Sequence, residues 1–155
     1  MWFHEIESPV EPARLFKASM VDWHNIGPKV MPEIITSVAL VSGDGTAGSI
    51  RQINFTSAMP YTYMKDRLDF IDHEQLECKS TLVEGGDLGK KLETASFHFK
   101  FVPAAGNGCV VKVEATCKAI PGAASEKDAA EAKESVTALI KAAEAHLLAN
   151  PAAYA

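Results

Sequence analysis

"VSGDGTAGSIRQINFTS", residues 41–57, decides between two architectures. Gly43, Gly45 and Gly48 match the G-x-G-x-x-G spacing of a dinucleotide-binding loop, and Gly43 and Gly48 also keep the glycine interval of a P-loop. Both motifs hold phosphate through a helix that begins directly after the glycines, whose N-terminal amides and dipole face the anion. A P-loop also needs Lys and then Ser or Thr after its last glycine, and this chain has Ser49-Ile50. In the residues that follow, Ile50, Gln52, Phe55 and Ser57 form no helical stripe, so the segment reads as a strand. The loop Gly43-Asp44-Gly45-Thr46-Ala47-Gly48 is therefore a hairpin connection, with glycines where the backbone needs positive φ. Its amides form at most a weak anion nest. No nucleotide fold follows from it.

Working outward, the same strand character continues from Pro32 to Lys118. "EIITSVALVS" (33–42), "GSIRQINFTS" (48–57), "YTYMKDRLDFID" (61–72), "LECKSTLVEG" (76–85), "KLETASFHFKFV" (91–102) and "CVVKVEATCKA" (109–119) are rich in β-branched and aromatic residues. Turn residues separate them: Gly43-Asp44-Gly45, Met59-Pro60, Asp72-His73, Gly85-Gly86-Asp87 and Gly106-Asn107-Gly108. The last is a hairpin signal, all three residues tolerating positive φ. With no helix between them, consecutive strands pair antiparallel. Residues 2–10 alternate as well and add a seventh strand.

Two helical stretches flank this block. Pro12 opens one in which Leu15, Phe16, Ser19 and Met20 recur at helical spacing; Asp22 is placed to cap a second short helix, which Gly27-Pro28 should bend or end. After Pro121-Gly122, Ser125 and Asp128 begin a capping box for a long helix. Val136, Leu139, Ile140, Ala143 and Leu147 form its apolar stripe, and Asn150-Pro151 closes it. The expected class is α+β: a seven-stranded curved antiparallel sheet wrapped around a long C-terminal helix, with two short helices after the first strand.

The 155 residues are most economically a single domain, 1–155, with a net charge of −5 and 47% hydrophobic residues. That balance supplies no overall positive field for nucleic acid or an anionic membrane. No stretch approaches the ~20 apolar residues of a membrane helix, and the N-terminus lacks a signal-peptide core, so a cytoplasmic protein is expected. Cys78, Cys109 and Cys117 match no metal or redox spacing and read as reduced thiols. His4, His24, His73 and His98 have no metal-ligand spacing, so neither a metal nor another cofactor is expected.

Taken in order, "LVSGDGTAGSIRQ", "YMKDRLDFIDHE", "TLVEGGDLG" and "EAHLLANPAAYA" resemble the class-10 pathogenesis-related proteins of plants, the superfamily of the major birch pollen allergen. The resemblance runs from about Trp2 to Tyr154, and "VDWHN" (21–25) is closest to the monocot members. It implies a helix-grip fold with an internal cavity for apolar metabolites such as flavonoids and other phenolics, cytokinins, sterols or fatty acids. It also implies a role in defence or stress, in a monomer or weak dimer without a membrane. Small hydrophobic ligands are then the expected partner, with RNA the alternative.

Counting by twos along the strands supplies candidate cavity residues. Phe97 and Phe99 share a face with Ala95 and Phe101, while Ser96, His98 and Lys100 point away. Tyr61 and Tyr63 are placed together, as are Cys78, Ser80 and Leu82, and Val113 and Ala115 with Val111 and Cys117. Phe55 and Ile35 join them; Val136, Leu139, Ile140 and Ala143 form the lid, and Met20 and Ile26 close one end. Polar atoms on Tyr61, Tyr63 and Ser80, and the alanine-rich helix, favour a cavity over a dry core. Relative to the family, Cys78 and Ser80 stand where aromatics are common, and Phe97 replaces a smaller or polar residue.

The resemblance implies an enzymatic alternative too. The positions matching a ribonuclease proposal in the family are Arg51, Glu93, Glu144 and His146, the first and last departing from a lysine and a tyrosine. Arginine can hold phosphate, and histidine can act as an acid or base. A branch that catalyses condensations in alkaloid biosynthesis uses a lysine inside the pocket. Lys112 and Lys118 have the opposite strand parity to Val111, Val113 and Cys117.

Overall fold

The computed structural model describes residues 1–123 and 126–155. The order is β1 (Trp2–Ser8), α1 (Pro12–Phe16), a π-helical turn (Lys17–Val21), α2 (Trp23–Val30), β2 (Ile35–Ser42), β3 (Ile50–Phe55), β4 (Tyr63–Asp72), β5 (Glu77–Gly85), β6 (Leu92–Pro103), β7 (Cys109–Ala119) and α3 (Glu126–Ala149). The strands form one antiparallel sheet in the order β1-β7-β6-β5-β4-β3-β2. Every chain-adjacent pair from β2 to β7 is a hairpin neighbour, and β1 closes against β7. The α+β class and the curved sheet around the long helix are as the sequence pattern requires.

Four local readings need correction or fall outside the description. Asp22 sits at the start of α2 but makes no side-chain cap; its carboxylate accepts from Asn25 and Tyr154 instead. Gly27-Pro28 does not end α2, which continues to Val30. Gly27 gives room to an indole: a Cβ there would lie 3.1 Å from the Trp23 ring. In the β6–β7 connection Gly106 and Asn107 take positive φ, whereas Gly108 is extended. The capping box involving Ser125 lies outside the described residues.

The register shows which side chains share the sheet's inner face. One row runs Leu68, Ser80, Phe97, Ala115, Trp2; the next runs Ile71, Cys78, Phe99, Val113, His4. A third joins Phe101, Val111 and Ile6. Toward the other edge, Val38, Ile53 and Met64 align, and Leu40, Arg51, Asp66 and Leu82 align beside them. A β-bulge between Leu68 and Phe70 shifts parity in β4, so that Ile71 faces inward and Phe70 outward.

Packing is uneven across this face. Phe16, Phe101, Leu15, Ile140, Leu147, Val111 and Cys109 are all under 2% exposed, forming a sealed core where α1, α3 and the β6–β7–β1 end meet. Arg14 fixes α1 to the end of α3, donating to the carbonyls of Leu147, Asn150 and Ala153. Such contacts satisfy the carbonyls that a helix C-terminus leaves open.

Candidate functional site

Away from the sealed end, apolar side chains of the inner face remain half-buried. Phe55, Met64, Leu82 and Phe97 from the sheet, with Val136 and Leu139 from α3, all remain partly open to solvent. All but Leu82 pack against the core cluster. These groups, on a sheet and a helix, are the candidate lining for a small-molecule site.

The predicted cavity residues divide into two groups. Met20, Ile26, Ile35, Cys78, Ala95, Phe99, Val113, Ala115, Ile140 and Ala143 are buried. Phe55, Tyr61, Ser80, Leu82, Phe97, Val136 and Leu139 are half-buried. Tyr63 belongs to neither inward set: its hydroxyl donates to Glu84 at 2.8 Å, beside the Lys65–Glu84 ion pair. Tyr61 precedes β4, so its parity does not carry into the strand, and its ring instead packs edge-on to Phe55 at 5.2 Å. Burial, followed by the charge of Asp87, raises the Tyr61 phenol, which stays protonated. Nearby, Lys91 reaches Asp128 at 2.7 Å and ties the β5–β6 connection to the first turn of α3.

The polar centre of the inner face is a pair that apolar counting overlooks. Arg51 Nε donates to Asp66 Oδ1 at 3.3 Å, and Arg51 Nη1 donates to the Met20 carbonyl at 3.0 Å. Their side chains are only 13% and 20% exposed. The chain turns out of helix at Asp22 and leaves the Met20 carbonyl to this guanidinium. The sequence signal is Phe55: stepping back by twos passes Ile53 and reaches Arg51, and the register pairs Arg51 with Asp66.

The other ribonuclease candidates have different partners. Glu93 pairs with Lys118 and Glu144 with Lys141, while the half-buried His146 gives its backbone carbonyl to Asn150. No described contact joins Arg51, Glu93, Glu144 and His146 to one another. Lys112 and Lys118 are exposed.

The glycine loop uses its amides internally. Gly45 donates to Ser49 Oγ, Thr46 to Asp44 Oδ1, Gly48 to the Leu68 carbonyl and Ser49 to the Thr46 carbonyl. A phosphate would have to displace these acceptors. Elsewhere an open groove of about 750 Å³ follows β1 and the Thr137–Lys141 flank of α3. Its lining mixes Ile6, Val102 and Val110 with the charged Glu5, Glu7, Lys112 and Lys141, and it shares no residue with the half-buried groups named above. Among the described residues no cluster of His, Cys, Asp and Glu could hold a metal ion, and no helix is long and apolar enough to cross a membrane.

Comparison with known proteins agrees with this architecture. The family model described as "Pathogenesis-related protein Bet v 1 family" matches residues 2–150. "Pathogenesis-related protein 1" of Asparagus officinalis is 53% identical over 154 residues, 99% of this chain and 96% of that protein. "Major pollen allergen Car b 1 isoform 2" of Carpinus betulus is 39% identical over 153 residues, covering 97% and 94% of the two chains. The crystal structure of Ara h 8.0201 superposes with a TM-score of 0.85 at 30% identity, covering 96% of this chain and 97% of that one. Norcoclaurine synthase of Thalictrum flavum reaches 0.80 at 20% identity over 95% and 85% of the chains, a likeness of fold alone.

Proposed function

The chain belongs to the pathogenesis-related protein Bet v 1 family, and from that premise we propose that it carries small hydrophobic metabolites between its sheet and α3. Plant phenolics, cytokinins, sterols and fatty acids are the ligand classes, and the setting is cytoplasmic defence or stress. The observation that carries this reading is the contrast within one inner face: Phe101 and Val111 are sealed, while Phe97, Leu82 and Met64, like Leu139 of α3, stay half-open. A ligand that covers these groups gains about 25 cal/mol per Å² of apolar area, before the entropy cost of binding. Three free cysteines suit a reducing compartment.

The ribonuclease alternative gains no support from the arrangement, because its four candidates are engaged with separate partners. Glu93 and Glu144 are each paired with a lysine, so these positions supply no net positive field to gather a polyanion. The carrier reading is tested by titration with the environment-sensitive dye ANS, followed by displacement with each ligand class. Micromolar dye binding, displaced stoichiometrically by one class, is expected. A folded protein that binds neither dye nor ligand would sink the reading.

A further inference from the structure

The Arg51–Asp66 pair is oriented into the half-open part of the inner face, flanked by Leu40 and Leu82 in the same cross-strand row. Asp66 spends one oxygen on Arg51 Nε, and Arg51 spends Nη1 on the Met20 carbonyl. Among the described residues, Asp66 Oδ2 and Arg51 Nη2 have no protein partner. Among the described residues no polar side-chain atom without a partner is sealed from solvent either, so both remain reachable. The pair thus offers an acceptor and a donor among half-buried apolar side chains of the inner face.

We propose that Arg51 and Asp66 together form a head-group site that selects neutral hydroxyl-bearing aromatic ligands over carboxylates. This rests on the carrier reading above and names its ligand class. A phenolic hydroxyl satisfies both free atoms: its O–H donates to Asp66, and its oxygen accepts from Arg51. A carboxylate can accept from Arg51 but meets the like charge of Asp66 beside it. The pair is neutral in sum, so it offers an anion no net attraction to offset that anion's loss of water. A wholly apolar ligand leaves both groups desolvated and unpaired, which also costs affinity. Selectivity therefore comes from Asp66 acting against anions as much as from hydrogen bonding to the hydroxyl.

The test uses two ligands of one shape, para-phenylphenol and para-phenylbenzoate, each displacing the neutral dye phenylnaphthylamine at neutral pH. The wild-type protein should bind the phenol at least about tenfold more tightly than the carboxylate. In Asp66→Asn the pair becomes a net cation, and the order should reverse, the carboxylate gaining about tenfold or more. The double variant Arg51→Met/Asp66→Leu replaces the pair by apolar groups, a change that folds tolerate. It should bind the neutral dye at least as tightly as the wild-type protein, the desolvation cost having gone, and lose the preference for phenol. Circular dichroism melting confirms that each variant is folded. Dye binding with equal affinities for the two ligands, or a preference unchanged in both variants, overturns the head-group site alone. A folded wild-type protein that binds no dye overturns the carrier reading and this inference with it.

Discussion

Trp2 stands edge-on to Phe97, ring centroids 6.1 Å apart, with the Lys133 ammonium 5.8 Å from the indole centroid. Phe97 is one of the half-open groups of the inner face, so the first strand of the protein reaches the proposed ligand space through one aromatic contact. The second tryptophan, Trp23, is buried under Gly27 in α2 and lies apart from that contact.

Trp2 is accordingly a built-in reporter. Filling the recess changes the polarity and packing around Phe97 and should shift or quench Trp2 emission. The change should be retained in Trp23→Phe and lost in Trp2→Phe, with ligand affinity altered by less than about threefold in the second variant. A signal that survives Trp2→Phe unchanged would place the ligand elsewhere.

Alkaline pH should weaken the fold through groups that burial keeps protonated. Burial pushes the Cys78 thiol from 9.0 up to about 12, Arg51 opposing and Asp66 and Glu77 adding to the rise. Tyr154 is raised above 10.0 by burial first, and then by its hydrogen bond to Asp22 and that carboxylate's charge. Both folded-state values lie above the unfolded ones, so the unfolded chain loses its protons first. Their contribution is complete below about pH 9 and is lost as pH rises toward 12. For Cys78 the loss is on the order of 4 kcal/mol across that window. Urea unfolding as a function of pH should show the decline, with a shallower slope in Cys78→Ala. Tyr154→Phe should flatten the part that begins near 10.0. A stability flat over this range in the wild-type protein would contradict the assignment.

Two glycines separate backbone strain from crowding. Gly85 has φ +75°, and a Cβ there would lie 2.5 Å from the Tyr63 carbonyl oxygen; Gly89 has φ +81° with nothing within 4 Å. Gly89→Ala should cost about 1 kcal/mol, the left-handed penalty alone. Gly85→Ala should cost about 3 kcal/mol or more, because the β4–β5 pairing must also shift. Denaturant midpoints with an unchanged slope check both, and equal losses would contradict the close approach.

The fold was legible because strand periodicity and turn chemistry agree along the whole middle of the chain. Each of the six segments carries one strand, and the glycine loop could be separated from a nucleotide motif by the "SIRQINF" pattern alone. Within the site, legibility ended where strands depart from ideal period two. Tyr61 lies before β4 and Tyr63 at its first residue, so treating them as one face sent Tyr63 inward when it pairs outward with Glu84. From the sequence Arg51 stands only as a group able to hold phosphate, because a lone arginine gives no hint of its partner; Asp66 meets it only through a register that tertiary pairing fixes. Asp22 was misread for a related reason. A carboxylate at a helix start is usually a cap, but here Tyr154, 132 residues away, takes it.

The most direct measurement is amide NMR of the protein titrated with a ligand that displaces the dye. Resonance shifts should concentrate at Met64, Leu82, Phe97, Val136 and Leu139 and saturate at a fixed stoichiometry, while Ile6, Phe101 and Val111 in the sealed end stay still. Shifts confined to the charged groove along β1, or no shifts with the protein folded and ligand in excess, would contradict a ligand site between the sheet and α3.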